Sequence, residues 1–129
     1  MIIAVDFDGI LCKNEFPDIG QPNYDVISLV RQLYDKGHEI ILWTSRIDEK
    51  LQEALDWCKS YGLKFSAVND NAPSNLGIYG TNPRKIFADI YVDDHNLEYV
   101  MSDNRYVNSE EFLITYLKRG VRKWKTEEN

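Results

Sequence analysis

Three short apolar runs, each followed at once by hydroxyl or carboxylate residues, restrict the fold of this chain more than any other feature. Ile2-Ile3-Ala4-Val5 stops at Asp6, Glu39-Ile40-Ile41-Leu42-Trp43 stops at Thr44, and Ile90-Tyr91-Val92 stops at Asp93. Runs that are apolar throughout, instead of alternating, suit strands covered on both faces in a parallel sheet. Between the first two, Val26, Ile27, Val30, Leu33 and Tyr34 recur at helical spacing, which predicts a helix over 24–36 stopped by Gly37. Leu51, Ala54, Leu55, Cys58 and Tyr61 stripe a second helix, with Asp48 as its N-cap and Gly62 as its stop. Residues 65–68 read as a short further strand, and 69–83, rich in Asn, Gly and Pro, as a loop. A last helix is expected over 109–119, capped by Ser109 and stopped by Gly120.

Strands alternating with helices require crossover connections, and these place helices on the faces of the sheet. The expected fold is therefore α/β, three-layered and doubly wound, with a mainly parallel sheet. The 129 residues suffice for one such domain, over 1–120, with a mixed-charge tail over 121–129. A net charge of −6 argues against broad nucleic-acid binding. Cys12 and Cys58 are isolated and read as small hydrophobes, neither a disulfide nor a zinc pair. Met1-Ile2-Ile3 leads straight into the first strand without a charged leader, and no apolar run is long enough to span a bilayer. A cytoplasmic address with no membrane partner is the expectation.

In doubly wound sheets ligands bind beyond the carboxyl ends of the strands, so the residues just after each run carry the most information. These are Asp6 and Asp8, then Thr44, Ser45 and Arg46, then Asp93 and Asp94. Two carboxylates about 5 Å apart repel by roughly 3 kcal/mol at an effective dielectric near 20, so several in one crevice call for a cation. Oxygen ligands without a His or Cys cluster point to Mg²⁺, and His95, although adjacent to the pair, is read as no ligand. Mg²⁺ bound by carboxylates commonly serves phosphoryl transfer. An aspartate can attack phosphorus and form an aspartyl-phosphate, while a second carboxyl protonates the leaving oxygen. Asp8 suits the second role, and Gly9 permits the tight turn that returns it beside the nucleophile. Donors from Thr44 and a cation from Lys85 would hold the phosphoryl oxygens. Thr44 and Ser45 compete for that place, and Arg46 reads either as a loop cation or as a phosphate contact. Trp43 and Trp57 read as packing residues and His38 as a surface residue.

Asp6-Phe7-Asp8-Gly9-Ile10-Leu11, Ile40-Ile41-Leu42-Trp43-Thr44, Lys85 and Ile90-Tyr91-Val92-Asp93-Asp94 occur in an order that resembles the four motifs of the haloacid dehalogenase-like (HAD) superfamily. The resemblance implies a Rossmann-like HAD core and a phosphatase of the phosphoric monoester hydrolase type. It makes Asp6 the nucleophile and a metal ligand, and Asp8 the general acid/base whose main-chain carbonyl also meets Mg²⁺. Thr44 would bind the phosphoryl group, Lys85 would neutralise it, and Asp94, supported by Asp93, would reach the metal. Asp8 favours phosphate chemistry over dehalogenation. Ile10 departs from the family's usual threonine.

Two other classes fit the pattern less well. A receiver-type phosphoacceptor domain places its acidic pair after the first strand and its lysine late, the reverse of the order here. A silent module that binds metal and phosphate has no need of both Asp6 and Asp8. The substrate is a phosphorylated compound whose class the sequence leaves open. Neither the 12–23 nor the 47–84 interval has room for the cap domain common among relatives that act on small metabolites. A capless site implies either a bulky substrate or a homo-oligomer in which one chain roofs another, with the 69–83 loop as a possible lid. Lys13, Arg46, Lys50 and Arg84 are the cations expected to rim such an entrance.

Overall fold

The computed structural model describes residues 1–95 of the chain. Its centre is a parallel four-stranded sheet. β1 (Ile2–Val5) lies between β4 (Glu39–Leu42) and β6 (Ile90–Val92), and β5 (Ala67–Val68) forms the edge beside β4. Ile3 stands opposite Ile40 on one side and Ile90 on the other, so the three main apolar runs lie in register. Between β1 and α1 (Tyr24–Asp35) the chain makes an antiparallel hairpin, β2 (Cys12–Glu15) and β3 (Asp18–Pro22). The expected short flap over 12–23 is this hairpin.

Successive crossovers from β1 to β4 and from β4 to β5 move in one direction across the sheet. Right-handed connections then put both helices on one face. Val26, Ile27, Val30 and Leu33 of α1, and Ala54 and Cys58 of α2 (Asp48–Ser60), accordingly bury against Ile3, Val5, Ile40 and Leu42. From β5 the chain returns past β4 and β1 to β6, and this reversed connection crosses the opposite face. There Ala72, Ile86 and Ala88 pack on Ile2, Ala4 and Ile41, with Trp43 and Tyr91 at the margin. The α/β class and the parallel sheet flanked by helices agree with the sequence reading.

Four local expectations change. The interval 69–83 is not all loop: Pro73–Tyr79 forms α3, with Pro at its start and Gly80 at φ +67° as a left-handed cap. Ile78 and Tyr79 of α3 are exposed, so no apolar stripe advertised the helix. Asp48 is not the N-cap of α2; Ile47 holds that position in extended conformation, and Asp48, at φ +50°, is the first helical residue. The third strand is only Ala67–Val68; Phe65 packs against the core, and Ser66 joins β4 outside the strand, its N–H donating to the Ile40 carbonyl at 2.7 Å and its hydroxyl accepting the Ile40 N–H at 3.1 Å. His38 is buried rather than superficial, with its Nδ1 2.9 Å from the Met1 amino group. The helix expected over 109–119 and the tail over 121–129 lie outside the described residues.

Both cysteines are buried thiols, as expected. Burial, reinforced by the charge of Asp8, pushes Cys12 up to about 11, and burial pushes Cys58 up to about 12.

Candidate active site

Strand order reverses at β1, whose chain continues to β4 on one side while β6 fills the other. A crevice opens beyond the carboxyl ends of strands at such a point. Here it is a cleft of about 530 Å³ lined by Asp6, Asp8, Thr44, Ser45, Arg46, Asp93, Asp94 and His95, with Asn14, Phe16 and Trp43. Seven of the eight site residues named from the sequence meet in it. Lys85 does not line it and is exposed, in the segment that leads to buried Ile86.

The turn after β1 is tightly wound. Asp6 N–H donates to the Val92 carbonyl at 2.9 Å, extending the β1–β6 ladder by one residue and holding the two acidic segments together. Leu11 N–H returns to the Phe7 carbonyl at 3.0 Å, and Gly9 N–H donates to the Cys12 carbonyl at 2.9 Å. Gly9 has φ +89°, and a Cβ there would lie 2.2 Å from Asp94 Oδ2. This glycine thus serves both the turn and the close approach of a carboxylate. Ile10 is fully buried in the core, and the loop is braced by Asn23, whose Nδ2 donates to the Ile10 carbonyl at 2.7 Å. Where the superfamily's usual threonine would offer a hydroxyl, position 10 here fills the core and the turn is held through its carbonyl.

Arg46 departs most from the sequence reading. It is 2% exposed, neither a solvated cation nor free to meet a substrate. Its Nε and Nη2 each donate to one oxygen of Asp8 at 2.8 Å, a bidentate charged pair. Nη2 also donates to the Asp18 carbonyl at 2.9 Å and Nη1 to the Pro17 carbonyl at 3.3 Å. The guanidinium carbon lies 5.1 Å from the ring centres of both Phe7 and Phe16. Arg46 thereby ties the hairpin turn to Asp8, and its pKa is raised further, chiefly by the hydrogen bonds to Asp8. None of the other cations expected at the rim lines the cleft. Lys13 pairs with Glu15 at 3.8 Å and Lys50 with Glu53 at 3.3 Å, both in solvent, and Arg84 is exposed.

Thr44 and Ser45 both face the cleft. The Thr44 hydroxyl oxygen accepts the Arg46 N–H at 3.1 Å, which leaves its own proton available to an incoming acceptor. Thr44 N–H is held at 2.8 Å by the Asn69 side chain. Asn69 adopts φ +51°, and its orienting role was hidden in a segment read only as loop.

Charge in the cleft is poorly balanced. Burial, then repulsion from Asp93, Asp94 and Asp8, pushes Asp6 up to about 8, against an opposing hydrogen bond from Phe7 N–H. Burial foremost also raises Asp94. Asp94 Oδ1 is buried with no hydrogen-bond partner among the described residues, and His95 Nδ1 lies 3.7 Å from it. Asp93, Asp94 and His95 offer donor atoms within 4.8 Å of one another, so His95, discounted from the sequence, does reach the pair. An orphaned carboxylate oxygen beside three further carboxylates fits a divalent cation, which would satisfy the one and neutralise the others.

No family model matches the chain, and no curated protein shows significant similarity. Among solved structures, a conserved protein from Bacteroides thetaiotaomicron matches with a TM-score of 0.71 and 32% identity, over 92% of this chain and 90% of that one. With that identity maintained over nine-tenths of both proteins, the chain belongs to the same family as the conserved Bacteroides protein.

Proposed function

We propose that this protein is a Mg²⁺-dependent phosphohydrolase of the HAD-like type, acting on a phosphate monoester through an aspartyl-phosphate on Asp6. The observation that carries this reading is the meeting of Asp6 and Asp8 with Asp93 and Asp94 at the strand-order reversal, where Asp6 is pushed up to about 8. Such a cluster is unfavourable by itself and useful around a cation. Asp6, the Asp8 carbonyl and Asp94, with Asp93 beside it, would hold Mg²⁺, which supplies charge neutralisation at the phosphoryl oxygens.

The chain's own groups perform the remaining steps. An Asp6 carboxylate oxygen attacks phosphorus as the bond to the leaving oxygen breaks, and Asp8 delivers the proton that oxygen needs. Asp8 then takes a proton from the water that attacks phosphorus, releasing phosphate and restoring Asp6. Because Arg46 holds both Asp8 oxygens, Asp8 must yield one of those hydrogen bonds while it carries a proton. Thr44 and Ser45 donate to the phosphoryl oxygens. Lys85 lies outside the cleft lining and has no step in this scheme. Neither has Arg46 as a substrate contact.

Phosphate release from a panel of esters, with Mg²⁺ and with a chelator, tests the proposal. Asp6→Asn should abolish release while the fold persists, and Asp8→Asn should slow it by about 10²- to 10⁴-fold. Mg²⁺ binding without release from any ester would replace the phosphohydrolase with a silent binding module.

A further inference from the structure

The cleft has lining residues that the phosphoryl chemistry does not use. Its volume of about 530 Å³ is that of a small-molecule site and exceeds what one phosphoryl group fills. Asn14 and Phe16 of the hairpin and Trp43, just after β4, line it without a part in that chemistry.

Phe16 is 59% exposed, and a lone exposed phenylalanine is ordinary on a protein surface. This one is held in place. One contact of its ring is the Arg46 guanidinium, itself fixed by four hydrogen bonds to Asp8, Pro17 and Asp18. Phe16 N–H also donates to the Asn14 side chain at 3.3 Å, at the exposed hairpin turn. The ring is therefore presented at the lip of the cleft at little further entropic cost on binding. Trp43 is fixed differently: its N–H donates to the Val5 carbonyl at 2.9 Å, and it packs beside Ile2, Ala4 and Ile41. Two aromatic side chains thus line the same cleft as the carboxylates. Aromatic rings accept flat partners by stacking or edge contact, and the cation on Phe16 draws electron density from the ring, favouring an electron-rich partner.

Charge narrows the class further. Among the described residues the lining contains four aspartates, and Arg46, the lone lysine or arginine among them, is committed to Asp8. Among the described residues, a second phosphate on the substrate would meet no uncommitted lysine or arginine there. We propose that Phe16 and Trp43 form a subsite for a planar, uncharged aromatic group on the substrate, so that the ligand is an aromatic monophosphate. This rests on the reading of the acidic cluster as a phosphate site.

The test uses phosphonates, whose carbon–phosphorus bond the chemistry above does not cleave. Affinities of methylphosphonate and benzylphosphonate are measured by calorimetry in Mg²⁺, for the wild type, Phe16→Ala and Phe16→Tyr. The wild type should bind benzylphosphonate about tenfold more tightly than methylphosphonate, as stacking contacts of this kind allow. Phe16→Ala should remove the difference and Phe16→Tyr should keep it. Because Phe16 is largely exposed, its replacement leaves the core intact. Equal affinities in the wild type, or a preference that survives Phe16→Ala, would overturn the subsite. Aryl preference without turnover of any ester would support the subsite and sink the phosphohydrolase, whereas turnover without aryl preference would do the reverse.

Discussion

Replacing Arg46 by methionine keeps much of the side-chain volume and removes every polar contact the guanidinium makes. Breaking a buried ion pair from one side costs about 3–5 kcal/mol, because the abandoned charge stays in place without its partner. Asp8 is less enclosed than that figure assumes, with its side chain 16% exposed and facing the cleft, so water can reach it. Pro17 and Asp18 are exposed, and their carbonyls can turn to solvent at little loss. Discounting for both gives about 2–3 kcal/mol. For a domain of this size that lowers Tm by roughly 6–15 °C. Urea unfolding of Arg46→Met, Asp8→Asn and the double variant measures it. The double variant should be more stable than the sum of the single losses implies, with a coupling of about 1–2 kcal/mol. Additive losses, or an Arg46→Met loss under about 0.5 kcal/mol, would refute the bidentate pair as the tie between the hairpin and Asp8.

Stability should also depend on pH and on the cation. Asp6 rises from an ordinary 3.8 to about 8 on folding, so the folded state binds that proton more tightly than the unfolded state. Its contribution is full below about pH 4 and is lost as pH rises to 8; urea midpoints in chelator should fall across that window, and Mg²⁺ or Asp6→Asn should flatten the slope. Gly9→Ala places a methyl group where Asp94 Oδ2 sits, at a φ that disfavours any side chain, so Mg²⁺ affinity measured by calorimetry should drop by at least about tenfold. Unchanged affinity would mean that Asp94 takes no part in holding the cation.

The sheet was legible because β1, β4 and β6 are apolar on both faces, and a run such as Ile2-Ile3-Ala4-Val5 has few other ways to be buried. The convergence of Asp6, Asp8, Thr44, Asp93 and Asp94 followed from strand ends alone. Arg46 was not legible, because a cation after a strand end looks the same whether it faces solvent or turns beneath a hairpin. Its partners Pro17 and Asp18 are nearly thirty residues away and contribute main-chain carbonyls, which leave no mark in side-chain chemistry. Asn23 and Asn69 were hidden likewise, each acting on a main-chain group. Lys85 was expected in the cleft from motif order, but order says nothing of which way a residue turns as Ile86 on one side of it is buried.

The two thiols, so far only fillers of the core, give the protein a pair of internal clocks. With their ionisation pushed up to about 11 and about 12, neither sulfur forms much thiolate at neutral pH, and both are shielded from reagents. Each reacts only when the structure around it opens. Cys12 begins the hairpin, whereas Cys58 lies in the second half of α2. Labelling of Cys12 therefore times the release of the hairpin, and labelling of Cys58 times the loss of the helical layer. If the hairpin swings away to admit substrate, Cys12 will be labelled long before Cys58; if it leaves only on global unfolding, the two will react together.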